Sequence, residues 1–184
     1  SFGDDDTENY IWAHGGNDEI HLNGGKNTIM LAEDDTTKIG NDTLYGATSA
    51  DLLKFVSAQN AEATVNKGYK FSELTFAKST VEGHENDLTI TTNDGNVVTI
   101  DDFFAVENRV NKLRVIAEEG GLQTDAYITD AIINVDLDQF ECETYEATPY
   151  TELFTATELA SVTGLQSDDM IENGTGEATF TREA

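Results

Sequence analysis

Residues 14–31 read HGGNDEIHLNGGKNTIML, and split at the midpoint they align as HGGNDEIHL over NGGKNTIML. A third nine, DDTENYIWA at 5–13, fits the same frame. In that frame Asn9, Asp18 and Asn27 share one column, and Ile11, Ile20 and Ile29 share another two places further on. A repeat of nine matches neither the 3.6-residue period of a helix nor the 2-residue period of a plain strand. It suits one tight turn followed by one short strand. Gly15, Gly16, Gly24 and Gly25 supply the turn's unusual backbone angles, and the isoleucine column points into a narrow core. One such unit is too short to bury its own apolar face, so the units are expected to stack.

Toward the C-terminus the period resumes in GNDTLYG (40–46) and SADLLKF (49–55), where Asp42 and Asp51 lie nine apart and Leu44 and Leu53 follow two places later. The two blocks are not separated by a multiple of nine, which puts a slip or short insertion within AEDDTTKI (32–39). Glu33, Asp34 and Asp35 would crowd acids beside the turn at Gly24 and Gly25, an arrangement that repulsion disfavours unless a cation binds.

From Asp51 onward the period is lost and the pattern becomes that of antiparallel β-structure. LTITTNDGNVVTI (88–100) alternates on both sides of an Asp-Gly turn, a strong hairpin signal. Its apolar face, Leu88, Ile90, Val98 and Ile100, needs a cover, for which Phe103 and Phe104 are nearest, on a helical turn capped by Asp101 or Asp102. RVNKLRVI (109–116) reads as another strand. Residues 124–135 are evenly divided between helix and strand, residues 151–163 favour a helix ending at Gly164, and the last twenty residues are expected to be mobile.

Among 184 residues, 36 are acidic and 10 basic, for a formal net charge of −26. That surplus repels itself and calls for cations, although an acidic surface that only maintains solubility in a salty medium gives the same composition. Nucleic acid is excluded as a partner for want of any basic cluster. Cys142 is the only cysteine, which rules out an internal disulfide and a multi-cysteine zinc site. No GxSxG elbow, P-loop or GxGxxG motif is present, and His14, His21 and His84 lie in no HExxH arrangement and read as surface residues. The acids of NVDLDQFE (134–141) lack the glycine of a calcium-binding EF-hand loop. Because it opens on Ser1, the chain is expected to be a piece of a longer protein.

The motifs GGND, GNDTLYG and SADLL resemble the hemolysin-type calcium-binding nonapeptides of the repeats-in-toxin (RTX) family. The later DLTI strand, hairpin, VTIDDFF and RVI resemble the flank that follows those repeats in RTX hemolysins. Together they cover roughly residues 3–118. The resemblance implies an all-β (mainly β) fold: a degenerate parallel β-roll at 3–56, an antiparallel β cap at 57–120, and an acidic C-terminal region at 121–184 holding a type I secretion signal, with one or two short helices. It implies roll turns of two nonapeptides each, with calcium between successive turns held by Asp18, Asp42 and Asp51 and carbonyls of Gly16 and Gly40; Thr36 stands eighteen residues beyond Asp18, so no pair of adjacent rungs is expected to keep two motif carboxylates. Asn9 and Asn27 stand at the same positions without the charge, where each either ligates or merely satisfies the turn backbone. The best site is expected near Asp18, Asp34, Asp35 or Asp42. The implied function is a non-catalytic folding and secretion module of an exported bacterial toxin-like protein, with calcium and the type I secretion machinery as partners. The alternative is a spacing or self-associating segment of an RTX adhesin or surface-layer protein at the cell surface, meeting a host cell or its own copies.

Overall fold

A computed structural model describes residues 8–32, 39–57, 67–140, 144–156, 161–173 and 179–180. The fold is mainly β, with sixteen strands among the described residues and only short 3-10 turns as helical elements. The first five strands are β1 (Glu8–Trp12), β2 (Glu19–His21), β3 (Lys26–Met30), β4 (Asp42–Tyr45) and β5 (Leu52–Lys54). They alternate between two sheets, β1, β3 and β5 pairing in parallel in one, β2 and β4 in the other. Strands two repeats apart are therefore neighbours.

Register follows the apolar columns. Ile11 pairs with Ile29 and Ile29 with Leu53 in one sheet, and Ile20 pairs with Leu44 in the other. Ile29, Leu44 and Leu53 are fully buried, and each such side chain contributes about 1.5–3 kcal/mol relative to exposure. Between β1 and β3 the offset is 18 residues, but between β2 and β4, and again between β3 and β5, it is 24. The insertion expected at 32–39 therefore adds six residues to one round of the repeat. Asp34 and Asp35 lie outside the described residues.

The wider offset corrects one expectation. Asp18 finds its neighbour at Asp42, not at Thr36, so one pair of adjacent rungs does keep two motif carboxylates. The glycines allow the turns to stack at backbone contact: at Gly40, with φ of +93°, a Cβ atom would fall 1.5 Å from the Gly16 carbonyl oxygen.

The middle of the chain supplies β6 (Leu74–Lys78), β7 (Leu88–Thr92), β8 (Val97–Ile100), β9 (Lys112–Ile116) and β10 (Gln123–Tyr127). The hairpin of β7 and β8 forms as its sequence predicts, pairing Leu88 with Ile100 and Ile90 with Val98. Phe103 is fully buried in the same core, and Phe104 is half-buried against it. β8 joins β4 in parallel and β9 joins β5 in parallel, so both sheets continue past the repeats.

The remaining strands overturn the reading of the C-terminal third. β11 (Ile133–Asp136), β12 (Thr144–Glu146), β13 (Glu152–Ala156), β14 (Ser161–Thr163), β15 (Met170–Asn173) and β16 (Thr179–Phe180) replace the expected helix at 151–163. The spacing of Leu153, Phe154, Leu159 and Val162 mimicked a helix, but Glu152, Phe154 and Ala156 point inward at period two and the segment is rich in threonine, whose branched Cβ favours strands. These strands again alternate between two sheets in parallel. Ile133 pairs with Glu152 and Leu153 with Met170 in one, Thr144 with Ser161 and Ser161 with Thr179 in the other. Strands β15 and β16 fall within the last twenty residues, the stretch expected to be mobile. Because β11 also pairs in parallel with β6, one eight-stranded sheet runs β15-β13-β11-β6-β7-β8-β4-β2.

Candidate functional site

The turns preceding β2 and β4 lie one above the other. The Asn41 N–H donates to the Gly16 carbonyl at 3.1 Å, and the Thr43 N–H to the Asp18 carbonyl at 2.8 Å. Asn side chains continue the ladder: the Asn17 amide oxygen accepts from the Asn41 N–H, and that of Asn41 from the Val97 N–H, at 3.1 and 3.0 Å. This places the carboxylate of Asp42 beside the backbone of Asp18, whose N–H donates to Asp42 Oδ1 at 3.1 Å. Four of the residues singled out in the sequence, Gly16, Asp18, Gly40 and Asp42, are thus brought together.

Asp42 is the anomaly in this stack. It is 1% exposed, and its Oδ2 atom is buried without a hydrogen-bond donor. Burial pushes its pKa up to about 6; the Asp18 N–H works against that rise, and the Asp18 carboxylate adds to it. Asp18 itself is exposed, with a carboxylate oxygen close above Gly16. Two carboxylates thus stand on successive turns, one with an oxygen free of donors, beside the Gly16 and Asp18 carbonyls that bond the next turn. Such a donor set suits a hard cation.

The second column is built on the same plan with a different outcome. Asn9 donates through Nδ2 to Asn27 Oδ1 at 3.0 Å, and Asn27 donates to Asp51 Oδ1 through both its backbone N–H (2.9 Å) and its side-chain amide (2.8 Å). The Asn27 amide also reaches the Gly24 carbonyl. Asp51 Oδ2 accepts from the backbone N–H and the hydroxyl of Thr48, at 2.7 and 3.1 Å. Each Asp51 oxygen therefore carries two donors, and this column needs no ion to satisfy it.

Sequence reading missed a third instance. Asp169 accepts from the Glu152 N–H of the preceding rung at 2.9 Å and from the Gln166 N–H three residues back at 2.7 Å, which reproduces the bonding of Asp51. Glu152 accepts from the Thr148 N–H at 2.7 Å through Oε2, while Oε1 is buried without a donor. Burial raises its pKa to about 7, opposed by the Thr148 hydrogen bonds and raised further by Asp169, with Lys78 acting to lower it. The signal available was the likeness of SADLL (49–53) to SDDMI (167–171).

No family model matches the chain, and no curated protein matches it in sequence.

Proposed function

We propose that the chain is a calcium-responsive parallel β-roll, a non-catalytic folding and secretion module of an exported protein of the RTX type. The observation that carries this reading is the stacked pair of Asp18 and Asp42, with one Asp42 oxygen buried and lacking a donor. At neutral pH, ionised Asp42 holds a charge that the fold does not satisfy. Given its raised pKa, the cost is on the order of 3 kcal/mol. A divalent cation bound by Asp18, Asp42 and the turn carbonyls, with water completing its shell, removes that cost. The charge of −26 extends the argument to the whole chain: without cations the acids oppose compaction, and calcium outside the cell would favour it. Folding would then follow export through a type I channel.

The experiment is thermal denaturation of the chain in chelator and in calcium. A ligand specific to the folded state adds RT ln(1 + [L]/Kd), about 1.4 kcal/mol at tenfold excess over Kd. Calcium should raise the melting temperature, magnesium should do much less because it sheds water reluctantly, and Asp42→Asn should abolish the difference. Identical melting in chelator and calcium would sink the proposal.

A second reading, a self-associating segment of an RTX adhesin or surface-layer protein, draws on the edge strands. Tyr10 and Trp12 on β1, and Met170 and Ile171 on β15, are exposed apolar side chains on strands that stand at sheet edges among the described residues. Sedimentation across a concentration series separates the readings: a monomer at all concentrations in calcium leaves only the first.

A further inference from the structure

A second group of ligating side chains gathers on the outer face of the eight-stranded sheet, away from the stacked turns. Ile20, Leu44, Ile100 and Leu88 form one inward row across β2, β4, β8 and β7. Their chain neighbours His21, Tyr45, Asp101 and Asp87 form the next row. The His21 ring stacks on Tyr45 with centroids 4.5 Å apart, and the Asp101 N–H donates to the Leu44 carbonyl at 3.0 Å. The turn before β7, closed by the bond from the Asp87 N–H to the His84 carbonyl at 3.1 Å, carries His84 back over this row.

His84 Nδ1 then lies 3.0 Å from Asp87 Oδ2. One ligand atom each from His84, Asp87 and Asp101 can be chosen so that all three lie within 4.8 Å of one another. Asp87 is 3% exposed and held in place, because its Oδ1 accepts the Asp102 N–H at 2.9 Å while Oδ2 faces His84. Asp102 makes that bond from the left-handed region, at φ of 51°. Asp101 is half-buried beside two further carboxylates, and no hydrogen bond to its own carboxylate offsets that crowding. Burial, then Asp87 and Asp102, raise its pKa, with His84 and His21 acting against them. The three groups come from a turn, the start of β7 and the end of β8, and the sheet fixes their spacing.

We propose that His84, Asp87 and Asp101 form a transition-metal site, separate from the stacked turns, that takes a dication of borderline softness such as Zn2+. The donor set decides the class of ion. Calcium takes six to eight hard oxygens and gains little from an imidazole, whereas one nitrogen and two carboxylate oxygens are ordinary zinc ligands, and water would fill the open fourth position. The site does not depend on the calcium reading, since it shares no residue with the Asp18 and Asp42 turns.

The test is titration of the whole chain with Zn2+, and with Co2+ as a visible-absorbing substitute, in the presence of excess calcium. One equivalent should bind. His84→Gln should weaken binding by at least about tenfold, the scale of losing one element of a metal's surroundings, and Asp101→Asn should weaken it too, while Asp42→Asn and His21→Ala leave it unchanged. The side chain of His84 is half-exposed, so its replacement should leave the melting temperature without Zn2+ near that of the parent, which separates ligand loss from misfolding. Zn2+ affinity unaltered by His84→Gln, lost instead with His14→Ala or His21→Ala, or displaced by calcium would overturn the proposal.

Discussion

Asp42 and Asp51 begin as equivalents. Each is the motif acid of its repeat, each stacks 24 residues above its predecessor, and each is almost fully buried, at 1% and 2% exposure. Their surroundings differ in two places, the residue beneath each and the residue three back, which is Thr48 for Asp51 and Ile39 for Asp42. Beneath Asp51 stands Asn27, whose amide donates to it; beneath Asp42 stands Asp18, which offers only its backbone N–H and a second negative charge. One column closes on itself and the other is left short of a positive partner. Asn27 satisfies one oxygen of Asp51 and Thr48 the other, whereas Asp42 Oδ2 meets neither kind of donor, the gap that the proposed cation would fill. The two columns can be broken separately.

The largest effect is expected at Asp51. Asp51→Ala removes the acceptor for the Asn27 and Thr48 N–H groups and leaves the first buried and the second half-buried. At about 1–3 kcal/mol for each unsatisfied group, the loss should be roughly 3 kcal/mol or more. Urea denaturation should show this loss equally in chelator and in calcium. A loss that calcium restores would mean that Asp51 ligates an ion and that the contrast with Asp42 is false.

Asp42→Asn should do the opposite. The new amide keeps an oxygen for the Asp18 N–H and places a donor beside the Asp18 carboxylate, much as Asn27 serves Asp51. Stability in chelator at pH 7 should rise by about 2–3 kcal/mol, the scale of the relieved charge, and the calcium increment should vanish. Destabilisation with calcium protection retained would show that the carboxylate is already satisfied without a cation.

How much of this was legible follows from the kinds of signal involved. The N-terminal strands were readable because Gly15, Gly16, Gly24 and Gly25 mark turns and isoleucine recurs at one spacing. The hairpin was readable from Asp94 and Gly95. Pairing of Asp18 with Asp42 was not, since the six extra residues alter the offset and sequence alone does not say which rungs become neighbours. The C-terminal strands were missed because their turns lack paired glycines and because Glu152 stands where the N-terminal repeats carry Asp or Asn, with Phe154 in the column of isoleucine and leucine. His84 was dismissed for want of a linear motif; its partners Asp87 and Asp101 are brought to it by strand register, which links residues distant in sequence.

The pH dependence of stability offers a finer test. Asp42 and Glu152 have folded-state pKa values raised from 3.8 to about 6 and from 4.5 to about 7. A carboxyl whose pKa is higher in the folded state favours folding while protonated, and its contribution is lost as pH rises through the folded value. In chelator, the urea midpoint should fall from pH 5 to pH 7.5, a window spanning both groups. Repulsion among the other acids contributes in the same direction, so the diagnostic quantity is the slope. Combining Asp42→Asn with Glu152→Gln should flatten it, and an unchanged slope would show that the general charge alone governs the response.

A final contrast distinguishes the two ends of the molecule. Glu152 resembles Asp42 in having one buried oxygen without a donor, yet its neighbours differ. Asp169 below it is occupied by the Glu152 and Gln166 N–H groups, and the cationic Lys78, over the rings of Phe104 and Tyr145 at 4.8 and 4.9 Å, acts to lower its pKa. A lysine near this corner discourages a metal ion where the Asp18 and Asp42 turn invites one. Glu152→Gln should therefore raise stability in chelator at pH 7.5 by an amount comparable to Asp42→Asn, since the help from Lys78 is already contained in its raised pKa. The calcium increment should survive intact, since the proposed ion site lies at the other end of the sheet. If Glu152→Gln abolishes the increment while Asp42→Asn spares it, the calcium site lies in the C-terminal strands and the comparison between the ends is reversed.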